Sequence, residues 1–172
     1  MSSASERVIR LAEPSDAAAL GESHAEAWLA AYVDLISPAV LDKAAANRRT
    51  NWPGYFASPR RFDFTVLVSV TPSLLEGFAM LLASPERDGW AEIRGFHFHP
   101  AAWGTGASMA LMEAALGTVA PGSLGVHLWT HRDTPRSHGF YEKVGFSRTG
   151  QARDATFSDN LILPEVEYAR SV

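Results

Sequence analysis

The segment 96–109 constrains the fold of this chain more than any other stretch. It reads Phe-His-Phe-His-Pro-Ala-Ala-Trp-Gly-Thr-Gly-Ala-Ser-Met, so a strand-like run ends at Pro100 and a glycine-rich turn precedes a run with helical spacing. Gly104 and Gly106 suit a turn with positive φ that presents consecutive backbone N–H groups. Because the N-terminus of a helix attracts anions, the segment predicts a strand–turn–helix unit that holds a phosphate. A plain helix start with turn glycines is the alternative.

Two common phosphate-binding motifs do not fit this turn. A Walker A loop needs Gly-Lys-Ser/Thr after its first glycines, and no lysine follows here. A dinucleotide-binding fingerprint needs a third glycine at the position of Met109. Any phosphate on this turn is therefore expected to bind mainly to backbone N–H groups.

Hydrophobic periodicity outlines the rest of the chain as a mixed sheet with helices. Residues 1–6 are predicted to be a disordered tail, and residues 7–172 a single domain. The element order predicted from spacing and turn residues is β-α-α-β-β-β-α-β-α-β-β, an α/β (α+β) arrangement. Six of these seven strands have predicted bounds, at 8–11, 64–70, 77–83, 91–99, 124–130 and 165–169. The second helix is predicted to span 38–49, before a loop that carries Trp52, Pro53 and Gly54.

Composition excludes several classes of protein. A formal net charge of −4 argues against nucleic acid as the partner. The 172 residues contain no run that approaches a membrane span and no apolar core of a secretory signal, so a cytoplasmic location is expected and no membrane partner. The absence of cysteine excludes disulfides, thiolate nucleophiles and cysteine-based zinc sites.

The segment 128–146 supplies a second motif. It contains Phe140-Tyr141 and, after three intervening residues, Gly145-Phe146. Together with the turn 103–109, this pattern resembles the GNAT (Gcn5-related N-acetyltransferase) family. Its members carry an Arg/Gln-x-x-Gly-x-Gly/Ala turn and then an Asn-Pro-x-Ala pattern that leads to Phe-Tyr-x-x-x-Gly-Phe. The resemblance implies a mostly antiparallel sheet of six to seven strands, helices on both faces and a splayed parallel strand pair.

The resemblance also implies direct transfer of an acetyl group from acetyl-CoA to a primary amine. The acceptor is a small-molecule amine or a peptide or protein amine, and a homodimer stays open because members often dimerise. Tyr141 occupies the family position of the general acid, where a phenol protonates the leaving thiolate. The alternative is a core tyrosine that packs like Phe140.

Two residues are candidates for the base. Glu92 lies where a glutamate acts through water in one branch of the family, but Arg94 two residues away makes a structural ion pair an equal alternative. His97 is the second candidate, since an ordinary histidine titrates closer to neutral pH. The resemblance assigns cofactor contacts to Phe96, His97, Phe98, Trp103, Gly104, Thr105, Gly106, Ala107, Ser108, Met109, Thr134 and Ser137, and acceptor contacts to Trp28 and Tyr32, which plain core packing would also explain.

Departures from the family pattern motivate a second hypothesis. Trp103 replaces Arg or Gln, Ser108 replaces Gly or Ala, Thr134 replaces Asn, and Ser137 replaces Ala. A catalytically inactive acyl-CoA-binding sensor is therefore the alternative to an active enzyme. Histidines also pair by strand alternation, as His97 with His99 and His127 with His131. No metal is expected from them, because no carboxylate obviously converges with the four rings.

Overall fold

The computed structural model describes residues 6–157 and 160–172. The predicted tail 1–6 therefore lies outside the described residues, apart from Glu6. The helices are α1 (Ala17–Tyr32), α2 (Pro38–Ala57), α3 (Ala107–Gly117) and α4 (Pro135–Lys143). The strands are β1 (Val8–Leu11), β2 (Phe64–Thr71), β3 (Leu74–Ala83), β4 (Trp90–Phe98), β5 (Gly125–His131), β6 (Ser147–Thr156) and β7 (Ile162–Ser171).

The strands form one mixed sheet of seven strands in the order β1-β2-β3-β4-β5-β7-β6. The β1–β2, β5–β7 and β6–β7 pairs are antiparallel, whereas β4 and β5 run parallel from Trp90↔Gly125 to Ile93↔Leu128. Both strands continue past these last paired residues, β4 to Phe98 and β5 to His131. The predicted class, a mostly antiparallel mixed sheet with one parallel pair, is confirmed.

The chain divides into two compact units, which we describe separately. Among the described residues, the first unit comprises 6–81 and Gly95–Thr118, and the second comprises Leu82–Arg94, 119–157 and 160–172. Strands β3 and β4 thus contribute residues to both units. A single domain over 7–172 stays a prediction. Within the described part of the chain, no helix is both long enough and apolar enough to cross a bilayer.

An aromatic and aliphatic core fills the first unit. Trp52 of α2 and Phe78 of β3 meet edge to face with ring centroids 5.0 Å apart, a favoured arrangement for aromatic pairs. Leu20 of α1 and Val68 of β2 are fully buried beside them. The apolar spacing of α1 and the alternation of β2 and β3 therefore point to one common core.

Helix α2 is longer than the sequence predicts. Pro53 and Gly54 were expected to lie in a loop after residue 49, but the helix continues through both to Ala57. A proline inside a helix leaves the carbonyl four residues earlier, here that of Arg49, without its helical donor. That carbonyl lies against Gly21 of α1, where an added Cβ would overlap it. Close packing on α1 and the burial of Trp52 stabilise the extra turns.

The second unit places α4 on the core of its strands. Tyr141 of α4 contacts the rings of Phe146 and Tyr168, with centroids 6.1 Å apart in each pair. Gly145 has φ 90°, a left-handed conformation that is typical of the residue just after the end of a helix. Because β7 alternates, Tyr168 faces this core while Glu167 points to the other face of the strand. The unit therefore has an aromatic face and a polar face.

Candidate active site

The predicted phosphate turn lies in the first unit, where it opens α3. Gly104 has φ 75° and Gly106 has φ 85°, so both glycines adopt the left-handed conformation expected from the sequence. Gly104, Thr105 and Gly106 are exposed, whereas Ala107 is buried at the first position of the helix. The first N–H groups of a helix have no partner within it. The turn therefore offers an accessible, electropositive backbone surface to an anion.

Side chains inside the turn fix its shape. The Trp103 indole Nε1 donates to the carbonyl of Phe98 over 3.2 Å. Thr105 Oγ1 donates to the carbonyl of Ala102 over 2.7 Å and accepts from the N–H of Ala107 over 3.4 Å. Trp103 thus connects the turn to the end of β4 through an indole hydrogen bond. An arginine or glutamine at this position would have to form the contact with a different donor group.

An ion pair between half-buried Arg7 and buried Glu76 supports the turn. Arg7 Nε and Nη2 donate to the two oxygens of Glu76, at 2.7 and 3.0 Å, and Nη2 also donates to Thr105 Oγ1 over 3.1 Å. Ser69 Oγ adds a 2.7 Å hydrogen bond to the Glu76 carboxylate. The hydrogen bonds from Arg7, more than those from Ser69, hold the pKa of Glu76 below its ordinary value despite burial. Neither Arg7 nor Glu76 was predicted as a site residue.

We expect Arg7→Met to destabilise the protein in a pH-dependent way. Removing one partner leaves the Glu76 carboxylate buried and uncompensated, which lowers the free energy of unfolding by about 3 kcal/mol at neutral pH. Since the folded-state pKa of Glu76 is depressed, this stabilisation is present above the ordinary glutamate pKa. It is lost as pH falls through the folded-state value. Urea unfolding of both proteins across pH 3–7 measures the difference, and an equal loss at every pH would contradict the assignment.

His97 lies in an aromatic cluster of the first unit. Its ring is 4.8 Å from His24 and 5.5 Å from Phe78, centroid to centroid. Burial, and secondarily the positive charge of Arg48, lowers the pKa of His97 to about 3. Burial also lowers the pKa of His24, with the charges of His97 and Arg48 as lesser causes. The expectation of a pKa near neutrality for His97 is therefore wrong, because the surrounding rings disfavour the charged imidazolium.

The predicted acceptor residues lie together on α1. The rings of Trp28 and Tyr32 are 4.5 Å apart, and the guanidinium carbon of Arg48 sits 3.2 Å from the centroid of the Trp28 ring. Trp28 is almost fully buried, whereas Tyr32 is half-buried. Such a stacked cation on an aromatic face is a stabilising contact in its own right. Arg48 was not singled out by the sequence, where it is one of two adjacent arginines.

In the second unit, Glu92 is held by its strand neighbour. Arg94 Nε donates to Oε1 over 2.8 Å and Nη2 to Oε2 over 3.1 Å. Glu92 is 2% exposed, while the side chain of Arg94 is 46% exposed. The structural ion pair between Glu92 and Arg94, one of the two alternatives from the sequence, therefore forms. The ion pair does not use all of the carboxylate's hydrogen-bond acceptor sites. Each oxygen retains a second lone pair that can accept a hydrogen bond from a water molecule.

Tyr141 lies in the last turn of α4 and is buried. Three aromatic rings, those of Phe140, Phe146 and Tyr168, surround it at 5.6 to 6.1 Å. This environment suits a packed core tyrosine. It equally suits a phenol held in one orientation, as a general acid requires. The two interpretations differ in what removal of the hydroxyl does to turnover.

Thr134 precedes α4 but does not cap it through its side chain. Its Oγ1 instead donates to the carbonyl of His131 over 2.9 Å, and the residue is buried. Thr134 is thus the N-cap residue of α4, but its hydroxyl bonds back to the end of β5 and not to the helix. Pro135 does open the helix as predicted, and Ser137 is half-buried in its first turn.

The remaining histidines form hydrogen bonds. His99 Nδ1 accepts from the N–H of Ala101 over 3.1 Å, and His131 Nδ1 accepts from the N–H of Asp133 over 2.9 Å. His127 lies 2.7 Å from Ser84 Oγ through its Nε2. Over residues 6–157 and 160–172, no three metal-ligating side chains are grouped so as to hold an ion.

Comparison with known folds and families places this geometry in context. The chain superimposes on the PaiA N-acetyltransferase of Thermoplasma acidophilum, solved in complex with coenzyme A, with a TM-score of 0.76, 18% identity and coverage of 97% of this chain and 99% of that one. A Gcn5-related N-acetyltransferase of Rhodopseudomonas palustris gives a TM-score of 0.77 at 20% identity. That match covers 98% of this chain and 97% of the other. YncA of Salmonella typhimurium, solved with its cofactor acetyl-CoA, superimposes with a TM-score of 0.66 and 22% sequence identity. The match covers 96% of this chain and 93% of YncA.

No curated protein matches the sequence. The structures above share the fold of this chain at identities too low to carry more than the fold. Family membership follows from the sequence model of the acetyltransferase (GNAT) family, which matches residues 24–146. This range includes the turn before α3, strand β5, and the Phe140-Tyr141 and Gly145-Phe146 motif. The chain therefore belongs to the acetyltransferase (GNAT) family and is an acyltransferase.

Proposed function

We propose that this protein is an active N-acetyltransferase that binds acetyl-CoA and transfers its acetyl group directly to a primary amine. The observation that carries the proposal is the exposed turn 103–109, with two left-handed glycines at the start of α3. Its backbone N–H groups bind the pyrophosphate of the cofactor. Coenzyme A bound to the PaiA enzyme and acetyl-CoA bound to YncA support this choice of ligand.

Direct transfer divides the chemistry among few groups. The acceptor ammonium loses a proton, its nitrogen attacks the thioester carbon, and the C–S bond breaks as the leaving thiolate gains a proton. Tyr141 donates that last proton as general acid. Backbone groups of Phe96, His97 and Phe98 contact the pantetheine arm and the developing oxyanion, as the family resemblance implies.

Glu92, acting through a water molecule, is the base that we propose. A base works best when its pKa lies near the working pH, and a value of about 3 makes the His97 imidazole a poor proton acceptor. The Glu92 carboxylate is buried and fixed in place by Arg94, with lone pairs left for a water. His97 then contributes its ring to the aromatic cluster and its backbone to the cofactor.

The two candidate bases predict opposite mutational results. Glu92→Gln keeps the size of the side chain but removes its basicity, so kcat at neutral pH should fall by about 10² or more. His97→Phe keeps an aromatic ring beside His24 and Phe78, so kcat should stay within about threefold of the wild-type value. Steady-state rates with a reactive amine measure both. The reverse pattern would assign the base to His97.

Arg94→Gln provides the matched control for Glu92. The substitution removes the cation that holds the carboxylate while leaving the carboxylate present. A change in kcat much smaller than that of Glu92→Gln is expected. Equal losses in the two variants would mean that the ion pair, and not the basicity of Glu92, supports activity.

A further inference from the structure

A second set of chemically competent side chains lies on the polar face of the second unit. Ser84, in the turn after β3, places its Oγ 2.7 Å from Nε2 of His127 on β5. Nδ1 of the same imidazole lies 3.0 Å from Oε1 of Glu167 on β7. His127 is completely buried and Glu167 is 5% exposed, whereas Ser84 is half-buried. A hydroxyl, an imidazole and a carboxylate thus stand in series.

The hydrogen bonds of Ser84 determine the tautomer of His127. The hydroxyl oxygen accepts from the backbone N–H of Glu86 over 3.2 Å and from that of Arg87 over 3.0 Å. With both of its acceptor sites used, the hydroxyl must donate its own hydrogen to Nε2. The imidazole proton therefore resides on Nδ1, the atom that faces Glu167. Burial, which lowers the pKa of His127, favours the same neutral form.

Glu167 is fixed for the role of orienting group. Its Oε1 accepts from Arg87 Nη1 over 3.2 Å, and its Oε2 accepts from Thr149 Oγ1 over 2.5 Å. The Nδ1 of His127 does not meet hydrogen-bonding geometry toward it at rest. Such contacts are often misaligned in a free enzyme and tighten when substrate binds. The order of groups and the tautomer are those of a serine nucleophile, its base and an orienting carboxylate.

The nucleophile, the base and the orienting group all belong to the second unit. The N–H groups of Glu86 and Arg87 donate to the Ser84 oxygen over 3.2 and 3.0 Å, so they hold in place the atom that would bond to the acyl carbon.

We propose that Ser84, His127 and Glu167 form a serine esterase site that hydrolyses small acyl esters. Its reaction differs from acetyl transfer, but the site adjoins Glu92, which is the register partner of His127 in the β4–β5 pair. Ser84 Oγ releases one of its two backbone N–H donors and attacks the ester carbonyl carbon through the freed lone pair, while His127 Nε2 takes the hydroxyl proton. The C–O bond to the alcohol then breaks, and Nε2 returns the proton to the departing alkoxide. A water molecule next attacks the acyl-Ser84 ester, giving its proton to Nε2. The carboxylic acid leaves, and the proton returns to Ser84.

Covalent labelling tests this site without reference to transferase activity. The wild-type protein is incubated at pH 7.5 with an alkyl fluorophosphonate, and adducts are located by intact mass and peptide mapping. We expect a single adduct, on Ser84. In parallel, hydrolysis of p-nitrophenyl acetate by Ser84→Ala should fall by about 10² or more relative to wild type. Absence of an adduct on Ser84, or equal hydrolysis by the two proteins, would overturn the proposal.

Variants distinguish a proton relay through Ser84, His127 and Glu167 from a Ser84 hydroxyl that only stabilises its own turn. Ser73→Ala alters an exposed serine in the turn between β2 and β3, and the Ser84 adduct should form in it at the wild-type rate. Glu167→Gln and His127→Gln should each slow labelling of Ser84 at least about tenfold. Because His127 is buried, circular dichroism first establishes that each variant is folded. If His127→Gln does not fold, Glu167→Gln alone provides the test. Labelling at an unchanged rate in a folded relay variant would contradict the assignment.

Discussion

Gly106→Val should abolish detectable binding of acetyl-CoA. Gly106 has φ 85°, a conformation that a β-branched residue rarely adopts, so the substitution strains the turn. An added Cβ meets no protein atom within 4 Å, which means that the side chain would project into open space beside the turn. That space is where we place the pyrophosphate. Isothermal titration calorimetry with acetyl-CoA measures the loss.

Gly117→Val is the matched control for that experiment. Gly117 ends the same helix, and its added Cβ also meets no atom within 4 Å, but its φ is not positive. The control should bind acetyl-CoA with a dissociation constant close to that of the wild type. A normal dissociation constant for Gly106→Val would remove the turn from the cofactor site.

Tyr141→Phe should lower kcat about tenfold or more while leaving the affinity for acetyl-CoA nearly unchanged. The substitution removes a proton donor but keeps the ring that packs against Phe146 and Tyr168. An interaction made only in the transition state affects kcat and kcat/KM equally. Steady-state kinetics and a direct binding measurement together provide the comparison.

Tyr168→Phe controls for loss of a buried phenol in the same aromatic face. Tyr168 is 1% exposed and its hydroxyl donates to Glu142 over 3.2 Å. Its removal should affect stability modestly and turnover little. If Tyr141→Phe retained full turnover, Tyr141 would be a core residue and the general acid would lie elsewhere.

Local pattern predicted much of the fold because local physics decides those elements. The turn before α3 and the left-handed Gly145 follow from glycine positions alone. By contrast, α2 passes through Pro53 because packing of Trp52 and contact with Gly21 outweigh a local helix breaker. Strand β3 begins at Leu74 and not at residue 77, since Pro72 and Ser73 suffice for the hairpin turn. Tertiary contacts, invisible in the sequence, set these boundaries.

The candidate sites divide in the same way. Tyr141 and the glycines belong to contiguous motifs and can be found by spacing. The pKa of His97 depends on its burial and on Arg48, which is far away in sequence. Ser84, His127 and Glu167 come together only through the order of strands in the sheet, and nothing local marks them as a set. Arg7 likewise reaches Thr105 across 98 positions.

Release of free thiol from acetyl-CoA tests the central claim most directly. The protein is incubated with acetyl-CoA and a panel of small amines, amino acids and peptide N-termini, and the thiol is followed by a chromogenic disulfide reagent. The chain itself contributes no background, because it contains no cysteine. An active N-acetyltransferase predicts release that depends on at least one amine and yields the matching N-acetyl product. Tight binding of acetyl-CoA with no amine-dependent release would contradict it and identify an acyl-CoA-binding sensor.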